Sequence, residues 1–248
     1  MSHWIVIPTY NERKNILALV PQIFRVLPNA KLMVVDDNSP DGTADVVRNL
    51  QVTYPNLYLQ VRSAKMGLGS AYIGAIEKLL ATEDFEMLTT MDADFSHSPE
   101  HLRQMRDLIA EYDLVIGSRY VRNGGTVGWP LHRRLLSRCG NIYARFVTQV
   151  SVSDFTSGFI TFRRTILEKI PLERIHCNGY AFLIELKCLA IFADARPVET
   201  PITFTERREG ASKLALSIIF EAVSTPWRMR FLRSNHEFQR ELTLARSK

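Results

Sequence analysis

The chain has 248 residues, of which 46% are hydrophobic and 23% charged, with 12 Gly and 11 Pro. That composition excludes collagen-like, low-complexity and wholly disordered chains, and at this length one α/β domain buries a sizeable core without staples. Lys and Arg total 31 against 26 Asp and Glu, a net charge of +5 too mild to mark a nucleic-acid binder by itself.

Residues 4–7 predict a strand, ended by Pro8-Thr9-Tyr10-Asn11. Apolar residues at Ile16, Leu19, Val20, Ile23 and Leu27 then predict a helix over 12–27. Residues 32–35 are continuously apolar, as in a buried parallel strand, and stop at the turn cluster 36–42. Thr43 is expected to cap the helix running through Val46, Val47 and Leu50. Residues 57–61 make a third strand, and Gly67-Leu68-Gly69-Ser70 opens a helix through Ile73, Ile76 and Leu80. A fourth strand over 86–91 is cut off at Asp92. A helix over 99–110 and a fifth strand over 114–116, ending at Gly117, follow. Further on, 202–204 is strand-like and precedes a polar loop over 205–213, and the apolar residues beyond form a helical tail with Arg228, Arg230 and Arg233. The organisation expected is a main domain over 1–215 and a C-terminal helical tail over 216–248.

Strands alternating with helices imply βαβ units and a mainly parallel sheet covered on both faces, with ligands at the carboxyl ends of the strands. The polar clusters Tyr10-Asn11-Glu12, Asp36-Asp37, Asp92-Ala93-Asp94 and Ser118-Arg119 all fall at that edge. The first βα turn lacks GxGxxG, which disfavours a hydride-transfer dinucleotide site. Gly67-Leu68-Gly69 lacks the Lys-Ser/Thr of a P-loop and reads as a helix-entry turn. Two carboxylates one residue apart, Asp92 and Asp94, suit a hard cation such as Mg2+ or Mn2+ bound together with substrate phosphates.

Between Arg119 and Arg164 stand eight Arg, no Lys and one acid, Asp154, so this stretch carries +7 and the remainder −2. Arg suits bidentate phosphate contacts, and the stretch reads as one phosphate-facing, bilayer-facing patch. Its mixture with Trp129, Leu131, Leu135, Leu136, Ile142, Tyr143 and Phe146 predicts an interface-seeking amphipathic segment over 127–147. No stacking platform for bases is present, and the carboxylate edge repels a nucleic-acid backbone, so no nucleic-acid partner is expected. Cys139, Cys177 and Cys188 form no CxxC pair and are expected as reduced, buried or half-buried thiols of a cytosolic protein. No signal peptide is expected, and no apolar run reaches the roughly 20 residues of a membrane helix.

The segments Ile7-Pro8-Thr9-Tyr10-Asn11-Glu12, 35–43, Met91-Asp92-Ala93-Asp94 and Gly117-Ser118-Arg119-Tyr120 resemble glycosyltransferase family 2 with its GT-A fold. More closely, Trp129-Pro130 with Arg133 and Ser137, Asp154 with Ser157-Gly158-Phe159, and Phe204 with Arg207, Gly210, Ser212 and Lys213 are similar to dolichyl- and polyprenyl-phosphate mannose synthases. The similarity runs over about 4–215, in the family's order. It implies transfer of mannose from GDP-mannose to a polyprenyl monophosphate with inversion. It implies that Pro8, Tyr10, Glu12, Val35 and Asp37 hold the nucleoside and that Asp92 and Asp94 hold the diphosphate through Mg2+ or Mn2+. Ser96 stands where the family can carry a Gln ligand to the metal. Arg119, Arg133, Ser137 and Arg207, with Lys213 on a closing loop, match positions that handle the acceptor phosphate, and Asp94 and Arg119 lie nearest the reaction. Without a span, the chain is expected at the cytoplasmic face of a membrane, through the amphipathic segment or a separate anchoring subunit. UDP-glucose or another nucleotide sugar on the same lipid is the rival donor. A nucleotidyltransferase and a basic peripheral membrane scaffold are the rivals of other classes.

Overall fold

The computed structural model describes residues 2–177, 179, 181–206 and 216–246. The first βαβ units form where the periodicity places them. β1 (His3–Thr9) leads through α1 (Arg13–Val26) to β2 (Lys31–Asp36), and α2 (Thr43–Gln51) leads to β3 (Leu57–Val61). α3 (Leu68–Thr82), β4 (Met87–Thr90), α4 (His101–Leu108) and β5 (Leu114–Ser118) complete the alternating half. The second half is less regular. β6 (Gly125–Val127) and α5 (Leu131–Thr148) precede β7 (Ile160–Arg163), the short α6 (Arg164–Leu167) and α7 (Phe182–Phe192). β8 (Pro197–Pro201), β9 (Thr203–Thr205), α8 (Leu216–Arg233) and α9 (His236–Arg246) follow.

The main sheet has seven strands in the order β3-β2-β1-β4-β7-β5-β8. Its pairs are parallel except where β7 runs antiparallel between β4 and β5. β6 and β9 make a separate two-stranded ribbon. The strands on either side of β1 lead their connections in opposite directions, so the crevice over β1 and β4 is a topological switch point.

Burial explains the layers. On one face Ile16, Leu19, Val20 and Ile23 of α1 are fully buried with Val47 of α2 and Met105 of α4. Each such side chain contributes about 2 kcal/mol relative to exposure. On the other face, α3 and α7 cover the sheet. Met229, Phe238 and Leu242 of α8 and α9 are buried in that same core, so the C-terminal helices pack against it.

Three readings of the sequence change here. Thr43 does not cap α2; Gly42, in the left-handed region at φ 82°, precedes the helix, and Thr43 is its first residue. The Thr43 hydroxyl donates to Asp41 Oδ1 at 2.6 Å and accepts from the Glu12 backbone N–H at 3.0 Å, tying two cleft loops together. The arginine stretch does not form one patch. Because β7 is antiparallel, Arg163 and Arg164 end at the amino edge of the parallel strands, where Arg163 pairs with Asp113 at 3.0 Å and Arg164 with Glu168 at 2.6 Å. Cys139 is exposed, whereas Cys177 and Cys188 are buried, and all three are free thiols.

A buried polar ladder crosses the sheet: His3 Nε2 meets Thr89 Oγ1 at 2.7 Å, and Thr89 Oγ1 meets Thr161 Oγ1 at 2.7 Å. Burial, assisted by Arg106, pushes the His3 imidazole from 6.5 down to about 3. The unfolded chain therefore takes up a proton between these values that the folded chain refuses, and stability held above pH 6.5 is lost as pH falls toward 3. Thermal unfolding at about pH 7 and about pH 4.5 is expected to show a smaller acid-induced drop in Tm for His3→Gln than for the unsubstituted chain. Equal drops would contradict this.

Candidate functional site

The loops after β1, β2, β3 and β4 enclose an open cleft of about 200 Å³. Pro8, Tyr10, Glu12, Asp37, Asp92 and Asp94 all line it, so six of the residues expected at a donor site come together. Val35 does not join them: its side chain is fully buried in the core. Asn11, Asn38 and Phe95, which follow β1, β2 and β4 at this edge, all have φ of 55–61°. Non-glycine residues rarely adopt that region, and a bulky Phe least of all; such strain concentrates at functional sites.

The carboxylates differ in how they are held. Asp36 is internal, accepting from Thr9 Oγ1 at 2.8 Å and from Ser39 N and Oγ at 2.8 and 2.6 Å. Asp37 pairs with Arg62, whose Nε lies 2.5 Å from its Oδ1. The same guanidinium donates to Ser70 Oγ at 2.7 Å and to the Gly67 carbonyl at 3.0 Å, fastening the ends of β2 and β3 to the start of α3. Gly67 opens α3 at φ 96°, as a helix-entry turn requires. Lys65 lines the cleft with its ammonium 4.0 Å from the Tyr10 ring centre. Arg62 and Lys65 were missed in the sequence because a single cation beyond a strand carries no motif; only their distance from Gly67 marks them.

At the tip of β4, Asp94 Oδ1 accepts from the Ser96 backbone N–H at 3.0 Å, and the Asp92 N–H donates to His97 Nδ1 at 3.1 Å. Burial pushes His97 down to about 4, so the ring is neutral near pH 7 with its proton on Nε2. The ring stacks on Phe159 at 4.9 Å and meets the edge of Phe204 at 5.5 Å. Ser96 is buried beside Asp94, and its Oγ has no hydrogen-bond partner among the described residues. Two carboxylates and an orphaned hydroxyl form an all-oxygen donor set, which fits Mg2+ or Mn2+. Among the described residues no group of three His, Cys, Asp or Glu gathers to hold a metal, so the protein alone does not make a closed cage.

Next to this cleft is an arginine and aromatic cluster. Arg119 is 6% exposed and forks onto Asp154 through Nε and Nη2 at 2.7 and 2.6 Å. Burial opposes both charges, but the pairing outweighs it, raising Arg119 and lowering Asp154 from their ordinary values. Nη2 also reaches Thr156 Oγ1 at 2.6 Å, whereas Nη1 has no hydrogen bond among the described residues. The rings of Tyr120, Trp129 and Phe204 stand 5.2–5.4 Å from the Arg119 guanidinium. Arg133 stacks over Trp129 at 4.2 Å and donates to Glu206 Oε1 at 2.7 Å. Ser137 Oγ accepts from Tyr120 at 2.7 Å. Arg119, Arg133 and Ser137 are thus brought together. Arg207 and Lys213 lie outside the described residues.

The chain matches the sequence profile of glycosyl transferase family 2 over residues 4–171. It is 42% identical to a polyprenol monophosphomannose synthase of Mycolicibacterium smegmatis over 221 residues, covering 88% of this chain and 83% of that protein. It is 37% identical to an undecaprenyl-phosphate mannosyltransferase of Micrococcus luteus over 218 residues, covering 88% and 89%. In fold it resembles glucosyl-3-phosphoglycerate synthase of Mycobacterium tuberculosis, with a TM-score of 0.65, 16% identity, and 93% and 80% of the two chains covered. It also resembles a mannosyltransferase of Pyrobaculum calidifontis solved with GDP-Man and Mn2+, with a TM-score of 0.56, 15% identity, and 99% and 74% covered. The strand order, the carboxylates at the switch point and these similarities lead to one conclusion: the chain is a glycosyltransferase and belongs to family 2.

Proposed function

We propose that this enzyme transfers mannose from GDP-mannose to a polyprenyl monophosphate. The observation that carries this reading is the juxtaposition of an acidic cleft with a cationic, aromatic-lined pocket, joined through His97 and Phe204. The relatives named for mannosyl transfer to polyprenyl phosphates support it. Pro8, Tyr10, Glu12 and Asp37 hold the nucleoside side, with Lys65 toward its phosphates. Val35 contributes by packing beneath them. Asp94 and Asp92, with Ser96, would hold the divalent cation, which when bound neutralises the leaving diphosphate.

The acceptor phosphate is already anionic and needs little help from a general base. The protein's task is to bring two negative groups together in line. Arg119 and Arg133, with Ser137, receive the acceptor, and Arg207 and Lys213 are assigned to the same phosphate by the family resemblance alone. One phosphate oxygen forms a bond to the anomeric carbon as the bond from that carbon to the diphosphate breaks on the opposite face. The products are polyprenyl-phosphate β-mannose and GDP, with inversion.

The acceptor's tail belongs in a bilayer, and the surface beside the pocket suits one. Leu131, Leu135, Ile142 and Phe146 form an exposed stripe on α5, and Phe220, Val223, Trp227 and Phe231 form another on α8. The two helices pack together, with the Tyr143 hydroxyl donating to the Val223 carbonyl at 2.8 Å. Arg134, Arg138, Arg145 and Arg230 flank these stripes, matching anionic headgroups. Among the described residues no helix is long and apolar enough to cross a membrane. The reading is therefore a peripheral enzyme of the cytoplasmic face, whose free thiols fit a reducing compartment. A membrane subunit seated on the same stripes is the other way to reach the lipid.

With radiolabelled GDP-mannose and a short-chain polyprenyl phosphate, label is expected in the lipid phase, and EDTA is expected to abolish it. Asp94→Asn is expected to lower turnover at least about a hundredfold. Transfer from UDP-glucose with none from GDP-mannose would overturn the donor assignment, and near-normal turnover of Asp94→Asn would overturn the role of the metal. Arg133→Ala, which removes a charge-assisted contact, is expected to raise the acceptor KM about tenfold and leave the donor KM unchanged. Titrating each substrate at saturating levels of the other checks this, and a donor-only effect would contradict it.

A further inference from the structure

Lys187 has no part in the reaction described above, yet it lies on α7 at 0% exposure, inside a helix whose other side chains are almost all apolar. A buried ammonium is costly unless its protons are matched. Here Nζ donates to the Phe155 carbonyl at 2.8 Å and to the Ser157 carbonyl at 2.6 Å. Those carbonyls flank Thr156, and Asp154 precedes them. Asp154 and Thr156 are the two residues that grip the Arg119 guanidinium.

The rest of this turn is also pinned from behind. Glu199 accepts from the backbone N–H groups of Ser153 at 2.7 Å and Asp154 at 3.0 Å. Asn141 Oδ1 accepts from the Phe155 N–H at 2.6 Å. The Gly158 carbonyl accepts from Thr90 Oγ1 at 2.7 Å, and a Cβ placed on Gly158 would lie 3.4 Å from Asp92 Oδ1. The turn therefore runs from the arginine pocket to the carboxylate cleft. Lys187 holds its middle from within the core, through the backbone carbonyls.

We propose that Lys187 is a positioning residue for the acceptor phosphate: from within the core it clamps the 155–157 turn, and through Asp154 and Thr156 it fixes the guanidinium of Arg119. An apolar side chain of similar length fills the same space but leaves two buried carbonyls without a donor, so the turn relaxes and Arg119 moves with it. The effect falls first on the acceptor, because the carbonyls that Lys187 holds flank Thr156 and follow Asp154, the two residues that grip Arg119. The proposal rests on the reading of Arg119 as a contact of the acceptor phosphate.

The test is an initial-rate study of Lys187→Met, Lys187→Arg, Thr156→Val and Arg119→Lys, varying short-chain polyprenyl phosphate and GDP-mannose in turn. Lys187→Met is expected to raise the acceptor KM about tenfold or more, because small displacements of a positioning group are costly, and to leave the donor KM within about twofold. Lys187→Arg is expected to recover most of the loss. Thr156→Val is expected to show the same acceptor-side change, and the pair of substitutions is expected to add little beyond either one. A folded Lys187→Met enzyme with the acceptor KM unchanged, or with both KM values raised alike, overturns the proposal. If Lys187→Met does not fold, Thr156→Val decides alone, and an unchanged acceptor KM there overturns it. Should Arg119→Lys raise the acceptor KM while the Lys187 and Thr156 variants do not, only the clamp falls. An acceptor KM unmoved by Arg119→Lys removes the reading of Arg119 and the clamp with it.

Discussion

Parallel strands send their carboxyl ends to the same edge, and in this chain the loops at that edge carry acids. Asp37 follows β2, and Asp92 and Asp94 follow β4, around one cleft. Like charges at close range repel, and the repulsion is strong where water is scarce. Much of the surrounding architecture answers this constraint. Arg62 neutralises Asp37 and at the same time ties β2, β3 and α3 together. Lys65 stands over Tyr10 at the mouth of the cleft. The orphaned hydroxyl of Ser96 and the carboxylates beside it leave an oxygen-rich position suited to a divalent cation.

Across His97 and Phe204 the sign of the charge reverses. Arg119 is desolvated, paired with Asp154 and ringed by Tyr120, Trp129 and Phe204, so its guanidinium is rigid. On the proposed function, such a rigid cation would stabilise the anionic nucleophile without reorganising during the reaction. The turn that carries Asp154 also passes Asp92, so a single loop sets the distance between the two halves of the site. The apolar stripes of α5 and α8 lie beyond Arg133 and Ser137, and this order of surfaces suits a lipid whose head must reach inward while its tail stays outside.

The alternating half of the fold was legible in the sequence because each of its elements is periodic and short turns separate successive strands and helices. The cleft was legible for the same reason: Tyr10, Glu12, Asp37, Asp92 and Asp94 each lie within a few residues of the end of an apolar strand run. Beyond Thr148 legibility is partial: the strand near 203 and the helical tail were legible, but the path of the chain leading to them was not. β7 is a short antiparallel insertion whose partners β4 and β5 lie far away in sequence, and it carries Arg163 and Arg164 to the edge opposite the site. The uniform arginine stretch concealed that split. Arg119 was legible as a cation but not as the partner of Asp154, 35 residues further along. Lys187, inside an apolar helix, gave no local sign of its target, because both carbonyls it binds belong to a distant turn. The role of Thr43 was misplaced by a single residue, since a left-handed Gly42 starts the helix.

On the proposed function, the acidic cleft holds a guanosine diphosphate only when a divalent cation is bound with it. Thermal unfolding of the full chain with GDP, with Mn2+, and with both tests it directly, since a ligand that binds only the folded state raises Tm by mass action. A clear rise is expected with GDP and Mn2+ together, little rise with either alone, and a smaller rise when UDP replaces GDP. An equal rise with GDP in the presence of EDTA would contradict it.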